Sequence, residues 1–427
     1  MSARRTRAVL ICLSLLIPHP EFDSYPENAW LQVFACFVLF CTSTGGVYTY
    51  GVFQDALVER GLAPSSTLAY VGSTQAAIQA IMAIPNSRLV ARYGPRNIAL
   101  LGTFFASAGP IFASLCVNSV PGLVVTEGLM FGYGQSLIFF ASATLPSSYF
   151  RRRRNIATGL VYSGAGVGGA LFSIVAAQLL QRLSLAWTFR TIGFIFAALN
   201  LPAALLVKGR APREPFRPLK RVVDWSLFKD PRFSLILTGT SIALFPLFVP
   251  PFFLPLYGTS IGLSKTSSSF ILAGFNLSSA IGRIAFGLFA DSFLGCLNAL
   301  VLCLIMVGVS TLAIWPVATS LAPLVTFVVI NGLCVGGMFS LIPGVLSSLF
   351  GSERLSIVFS MIVSSWTPGY FFGSPIAGYL LDAYGGQAEG YRAYRPAIFY
   401  SGALTMAASI LVGVVRVKES RDWRRKM

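Results

Sequence analysis

Ser147-Ser148-Tyr149-Phe150 leads through a run of arginines to Arg154, and 200 residues further on Ser347-Ser348-Leu349-Phe350 leads to Arg354. Each segment follows a long apolar run, so the same short loop stands twice in the chain. At the same offset Ser87-Arg88-Leu89-Val90-Ala91 aligns with Gly287-Leu288-Phe289-Ala290-Asp291, and Phe131-Gly132 with Asn331-Gly332. Several coincidences at one offset indicate a half that was duplicated once.

A helix needs an apolar stretch of about 20 residues to span roughly 30 Å of hydrocarbon. Twelve such stretches lie near residues 31–53, 67–86, 97–117, 121–145, 155–180, 187–207, 233–257, 267–290, 295–316, 323–349, 355–381 and 396–416. Of the 32 Lys and Arg residues, 25 fall in one alternating set of gaps: before span one, after spans two, four, six and ten, and at the C-terminus. Positive residues stay on the cytoplasmic side, so an even number of spans predicts both termini inside. The expected fold is an all-α membrane protein of twelve transmembrane helices in two six-helix, pseudo-symmetric halves, residues 31–207 and 233–416. Cytoplasmic tails at 1–30 and 417–427 and a cytoplasmic linker at 208–232 complete it. Parallel six-span repeats are the architecture of the major facilitator transporters.

Composition excludes other classes. The chain is 55% hydrophobic and 11% charged, with a mean hydropathy of +0.72, whereas a soluble domain carries about 25% charged residues. The net charge of +17 sits in short loops beside the membrane, which points to topology and anionic lipid rather than nucleic acid. Seven cysteines form no CxxC pair and His19 is the one histidine, so no metal site, cofactor or His-based catalytic array is expected and the chain does not read as an enzyme. Residues 8–17 form a short apolar run behind Arg4, Arg5 and Arg7. They resemble a leader, but a tail at the interface is the expectation, since a twelve-span chain needs no cleavable one. Trp225 and Phe228, among basic residues of the linker, suit either a short interfacial helix or an irregular connection.

Gly164-Ala165-Gly166-Val167-Gly168-Gly169 satisfies G-x-G-x-x-G, yet no strand precedes it and no acid follows about 20 residues on, as a dinucleotide site requires. Inside a span, such small residues let helices approach closely. Arg283 lies within span eight, where a charge costs roughly 2.5–3.5 kcal/mol on insertion scales, so it should face a cavity or a partner. Asn276 and Ser279 share its helix face, and guanidinium suits an anionic group. These three lead the candidate substrate contacts; Tyr50, Gln54, Gln75, Gln79, Gln135, Tyr257, Asn331, Trp366 and Tyr370 are further pathway candidates. Glu127, early in span four, is a candidate titrating group, too high in the bilayer to pair with Arg283.

The loops after spans two and eight resemble the facilitator loop G-x-L-x-D-R-x-G-R-R, in which an acid and bases latch neighbouring helices. The first copy keeps Arg88, Arg92 and Arg96 but has Ala91 for the acid, and the second keeps Asp291. With Arg154 and Arg354 these form the expected cytoplasmic latch. More specifically, Pro26-Glu27-Asn28-Ala29-Trp30, Tyr50-Gly51-Val52-Phe53-Gln54, Tyr149-Phe150-Arg151, Ser163-Gly164, Asp224-Trp225-Ser226-Leu227-Phe228 and the Gly282-Arg283 pair together resemble the monocarboxylate porter family in its fungal form, over residues 26–416. Animal members of that family couple protons to lactate-type acids with a lysine late in span one and an Asp–Arg pair in span eight. Arg283 matches that arginine, while Gln54 and Ser279 stand at the lysine and aspartate positions. The resemblance implies a secondary transporter of a small organic, anionic or amphipathic solute, with efflux of a secondary metabolite the leading expectation. Proton-coupled uptake of a monocarboxylate or vitamin is the alternative, and a non-transporting nutrient sensor is more remote. The expected partners are the solute, the bilayer and protons as coupling ion, in a monomer of the plasma membrane.

Overall fold

A computed structural model describes residues 28–143, 145–150, 154–209, 223–351 and 354–419. The leader-like run at 8–17 and most of the linker and C-terminal tail lie outside these. Among the described residues every regular element is helical and there is no strand. This is what hydrocarbon enforces, since a helix satisfies its backbone donors and acceptors internally.

The helices are α1 (Ala29–Glu59), α2 (Ser65–Ile81), α3 (Ala83–Tyr93), α4 (Pro95–Ala113), α5 (Val120–Ala143), α6 (Arg154–Arg182) and α7 (Leu185–Leu206). They continue with α8 (Pro231–Ser260), α9 (Lys265–Leu294), α10 (Cys296–Val317), α11 (Leu321–Phe350), α12 (Leu355–Ser365), α13 (Thr367–Ala383) and α14 (Arg395–Glu419). Among the described residues nine are long and apolar enough to cross a membrane, namely all but α2, α3, α4, α12 and α13. The other three apolar stretches of the sequence are covered by α2 with α3, by α4, and by α12 with α13, consistent with twelve crossings.

Local chemistry sets where helices end and bend. Ser184, Asp230 and Ser264 accept the amide protons of Trp187, Arg232 and Ser267 at the starts of α7, α8 and α9, the usual way to satisfy orphan donors. Gly94 and Gly295, at φ of +84° and +80°, end α3 and α9 in a conformation that a side chain would oppose. The same turn thus closes both copies of the latch loop. Helix α8 is interrupted between Leu244 and Val249, at Pro246 and just before Pro250 and Pro251, which all lack amide donors. Gly373 of α13 lies directly against the backbone freed at Phe245. Three π-helical stretches interrupt the membrane helices, at Val124–Phe131, Ala290–Leu294 and Ser310–Ile314. Such bulges frequently mark functional positions.

The glycine motif of α6 is a packing surface. A Cβ at Gly164 or Gly168 would strike the carbonyl of Phe37 or Cys41 in α1, and one at Gly166 the carbonyl of Asn276 in α9. Helix α6 is thereby clasped between α1 and α9. The duplication is visible in contacts too: a Cβ on Gly132 would lie 2.9 Å from Gln75 Cα, and one on Gly332 2.7 Å from the Phe275 carbonyl. Helices from the two halves of the sequence meet along α6–α9 and along α2–α13, where Gly378 leaves room for Ser66 and Tyr70 packs on Phe371 at 5.6 Å. In the described linker, Trp225–Lys229 forms one 3-10 turn.

Candidate functional site

Arg283 is carried by α9 and is 2% exposed. One terminal nitrogen donates to the Tyr162 carbonyl of α6 and the other to the Tyr48 hydroxyl of α1 at 3.0 Å. The guanidinium also stands 5.7 Å from the Tyr48 ring and 5.6 Å from the Phe339 ring of α11, within the range of cation–π attraction. No carboxylate forms an ion pair with it among the described residues, and its Nε is buried without a hydrogen-bond partner. The charge is solvated by a carbonyl, a phenol and two ring faces, with the Nε–H left without an acceptor.

Aromatic side chains extend from this point. Tyr370 packs on Phe248 at 5.5 Å and on Trp366 at 6.1 Å, and Trp366 lies 6.2 Å from Phe339 while donating to Thr240 at 3.1 Å. Asn276 Nδ2 and Ser279 Oγ are buried and unpartnered on the same helix as Arg283; Asn276 abuts Gly169 of α6. Arg283, Asn276, Ser279, Trp366 and Tyr370 are thus brought to one region where α1, α6, α9, α11 and α13 converge.

Other candidates go elsewhere. Tyr50 donates to the Leu68 carbonyl at 2.8 Å and Gln54 to Ser65 at 3.0 Å, tying α1 to α2. Asn331 donates to Val307, Ser310 and Thr311, across to the π stretch of α10. The Tyr257 hydroxyl shares its proton between the Trp315 and Ala318 carbonyls under the Tyr394 ring. Each is held by a neighbouring helix or turn and stands apart from Arg283. Gln135 donates to Gln79 at 2.5 Å and Gln75 to Glu127 at 3.3 Å, between α5 and α2. Glu127 is 7% exposed.

At the latch, Arg92 lies 5.0 Å from the Tyr93 ring; Arg88 is half-buried and Arg96 exposed. Asp291 is exposed in the π turn ending α9. Arg354 is exposed, and its charge bears on Asp224, whose carboxyl is held below the usual range chiefly by the Ser226 hydroxyl. Arg154 begins α6, and its side chain lies outside those described. Arg416 reads in the sequence as one more basic residue at the cytoplasmic end of span twelve, but it is fully buried and donates to Asn298 of α10.

Sequence reasoning missed Tyr48, Tyr162 and Phe339. A signal existed for Tyr162, which lies three residues after Gly159 and four before Gly166. Both glycines face the backbone of α9, so helical spacing places Tyr162 on that face. A separate cavity of about 250 Å³ opens between the far ends of α1, α6 and α9, lined by Asp55, Gln178 and Phe270 among others. At its edge Lys265 pairs with Glu59 at 2.5 Å.

A model of the major facilitator superfamily matches the chain twice, over residues 34–293 and 236–426. The chain belongs to the major facilitator superfamily. It is therefore a multi-pass membrane transporter protein, not an enzyme. Among curated relatives, the MFS-type transporter pynF of Aspergillus niger is 28% identical, covering 95% of this chain and 92% of its own. The aspyridones efflux protein apdF of Emericella nidulans is also 28% identical, over 92% and 80% of the two chains. The agnestins efflux protein AgnL12 of Paecilomyces divaricatus is 27% identical, over 93% and 89%. Of solved structures, a bacterial homologue of the human lysosomal transporter Spinster superposes with a TM-score of 0.72 at 15% identity, covering 94% of this chain and 99% of that one. The human organic anion transporter MFSD10 gives a TM-score of 0.69 at 14% identity, over 91% and 100%. At these identities the structures attest the major facilitator fold alone.

Proposed function

We propose that this major facilitator protein is a secondary transporter of the monocarboxylate porter branch that exports a small amphipathic, anion-bearing secondary metabolite by alternating access. The observation that carries the chemistry is Arg283, a buried cation with no carboxylate partner among the described residues and an unpartnered Nε–H, in an aromatic environment. A carboxylate or enolate oxygen would complete its hydrogen bonding and neutralise it, while Tyr370, Trp366 and Phe339 would take an apolar body. Asn276 and Ser279 would contact polar groups of the same solute. The direction of transport is supported by relatives that are themselves named efflux proteins. Residence in the plasma membrane as a monomer, with both termini cytoplasmic, belongs to the same reading, as does gating by Arg88, Arg92, Arg96, Asp291, Arg154 and Arg354.

Uptake of a monocarboxylate by the mechanism of the animal porters is less well supported, because Gln54 and Ser279 replace the lysine and aspartate of that arrangement and Gln54 is bonded to Ser65. The deciding experiment compares metabolites in medium and cells, with the gene intact, deleted, and restored as wild type or Arg283→Ala. Accumulation of one acidic, partly apolar compound inside deleted cells, uncorrected by Arg283→Ala, is the expected outcome. An unchanged distribution of every metabolite on deletion would remove the efflux reading. Full rescue by Arg283→Ala would remove the site.

A further inference from the structure

Among the described residues Glu127 is the single buried carboxylate. It sits in the π-helical stretch of α5 (Val124–Phe131), and its one hydrogen-bond partner is neutral, the Gln75 amide at 3.3 Å. Its second oxygen, Oε2, is buried with no partner. No cation reaches it from the elements packed against it. Helix α4 carries no charged side chain between Asn97 and Ala113, α5 has none other than Glu127, and α2 offers Gln75 and Thr74. From α1 the Tyr50 phenol lies within electrostatic reach, and Arg190 of α7, the helix that packs on the π stretch through Phe196, donates to the Ser114 hydroxyl instead. A carboxylate taken out of water costs several kcal/mol unless a countercharge or full hydrogen bonding compensates it. Here neither is in place, so the charge of this group is governed by a proton rather than by an ion pair.

A polar seam leads away from it between α2 and α5. Below the Gln75–Glu127 contact, Gln135 donates to Gln79 at 2.5 Å, Ser136 to the Gln79 carbonyl at 3.4 Å, and Asn86 to Ser136 at 2.8 Å. Gln75, Gln79, Asn86 and Gln135 are all buried. The seam descends two turns of α5 and runs from Gln75 and Gln79 of α2 to Asn86 of α3, toward the end that carries Arg88. Along it Gln75 Oε1, Gln135 Oε1 and Asn86 Oδ1 join Glu127 Oε2 as buried acceptors without a donor. Buried polar atoms are almost always satisfied, and a row of unsatisfied acceptors is what a hydrated proton or a string of waters would bond.

We infer that Glu127 is the proton-binding group of this transporter, and that the Gln75–Gln79–Gln135–Asn86 seam is the route by which the proton reaches it from the Arg88 end. In the step itself, Oε2 takes a proton from hydronium, which leaves as water, and the carboxylate becomes a neutral acid; release is the reverse. The inference rests on the transporter reading, and it moves the proton site from α9, where Ser279 replaces the animal aspartate, to α5.

The test needs no transported solute, so its outcome is independent of the efflux experiment. Infrared difference spectra of the purified full chain in phosphatidylcholine liposomes are recorded between acidic and alkaline buffers, in water and in deuterium oxide. A carbonyl band of a buried protonated carboxyl, displaced in deuterium oxide, is expected in the wild type. It should be lost in Glu127→Gln, displaced in Glu127→Asp, and unchanged in Glu59→Gln at the exposed Lys265 pair. Gln79→Leu should slow its deuterium displacement without moving the band. A wild-type protein with no such band, or a band that survives Glu127→Gln, overturns the proton site. If Glu127→Gln does not fold, an undisplaced band in Glu127→Asp overturns it equally. Unchanged exchange in Gln79→Leu overturns the route.

Discussion

The α2–α3 segment and α5 are joined through amides, whereas their counterparts 200 residues on, α9 and α11, are joined through glycines. Gln75, Gln79, Asn86, Gln135 and Ser136 of the first pair align with Phe275, Ser279, Phe286, Val335 and Gly336 of the second. Where Gln135 bonds Gln79, Gly336 lets the Ser279 carbonyl come against the backbone of α11, and Gly282 does the same for the Leu333 carbonyl. Each pair also buries one charge that the other lacks. Glu127 corresponds to Phe327 and Arg283 to Ala83. The duplicated scaffold has thus been divided: one half keeps an amide seam around an acid, and the other holds a cation on a helix locked at close range by α6 and α11.

Filling the glycine contacts of α9 and α11 should have the largest effect. Gly282→Leu places a side chain on the Leu333 carbonyl. Overpacking of this kind costs typically about 1–3 kcal/mol where a core can adjust and more where backbone is struck. Loss of monodisperse protein on size exclusion is expected, while Gln79→Leu in the amide pair should remain folded. Next in size, Arg283→Ala should lower export at least about tenfold, since hydrogen bonds to a charged group are worth roughly 1.5–3 kcal/mol. Arg283→Lys should recover part of it, as a point charge without the fork. Transport in cells restored with each variant checks both.

In the amide pair, Gln79→Leu or Gln135→Leu alone should lower stability by about 1–2 kcal/mol, because the surviving amide is left buried. The double variant should cost less than the sum of the two, a coupling that thermal unfolding in detergent would reveal. Additive losses would mean that the bond between them contributes nothing. Smallest, Asn331→Leu should cost about 0.6–1.7 kcal/mol, the range of hydrogen bonds between membrane helices. It removes the amide link that α11 makes to Ser310 and Thr311, and export should be unaffected because Arg283 is not in contact with it.

Much of the fold was legible because hydrocarbon imposes simple rules. Apolar length predicts crossings, and helices appear over all twelve apolar stretches. The duplication, read from Ser147–Phe150 and Ser347–Phe350, reappears in the Gly132 and Gly332 contacts. The site was legible only in its charge. Arg283 stood out because a cation within a span demands a reason, and Asn276 and Ser279 followed by helical spacing. Tyr48, Tyr162 and Phe339 did not stand out, since aromatics are common in membrane helices and nothing local says which of them face a cation. Tyr257 and Asn331 carried the same polar cue as Asn276, yet they are consumed by neighbouring backbone and hydroxyl groups.

The class of the molecule is written along the chain: helices that cross a bilayer, duplicated once, with one arginine that could belong to neither surface. Those conclusions depend on length, hydropathy and spacing, which act along the chain. The folded structure sets what surrounds each buried charge, because partners such as Tyr162 and Arg283 are 121 residues apart. It showed the arginine solvated by a carbonyl and aromatic faces, and Arg416 drawn into the bundle by Asn298. It showed Glu127 left with a single neutral partner at the head of an amide seam. The physical reason is that desolvation is a property of a place rather than of a residue, and helix packing is what makes the place.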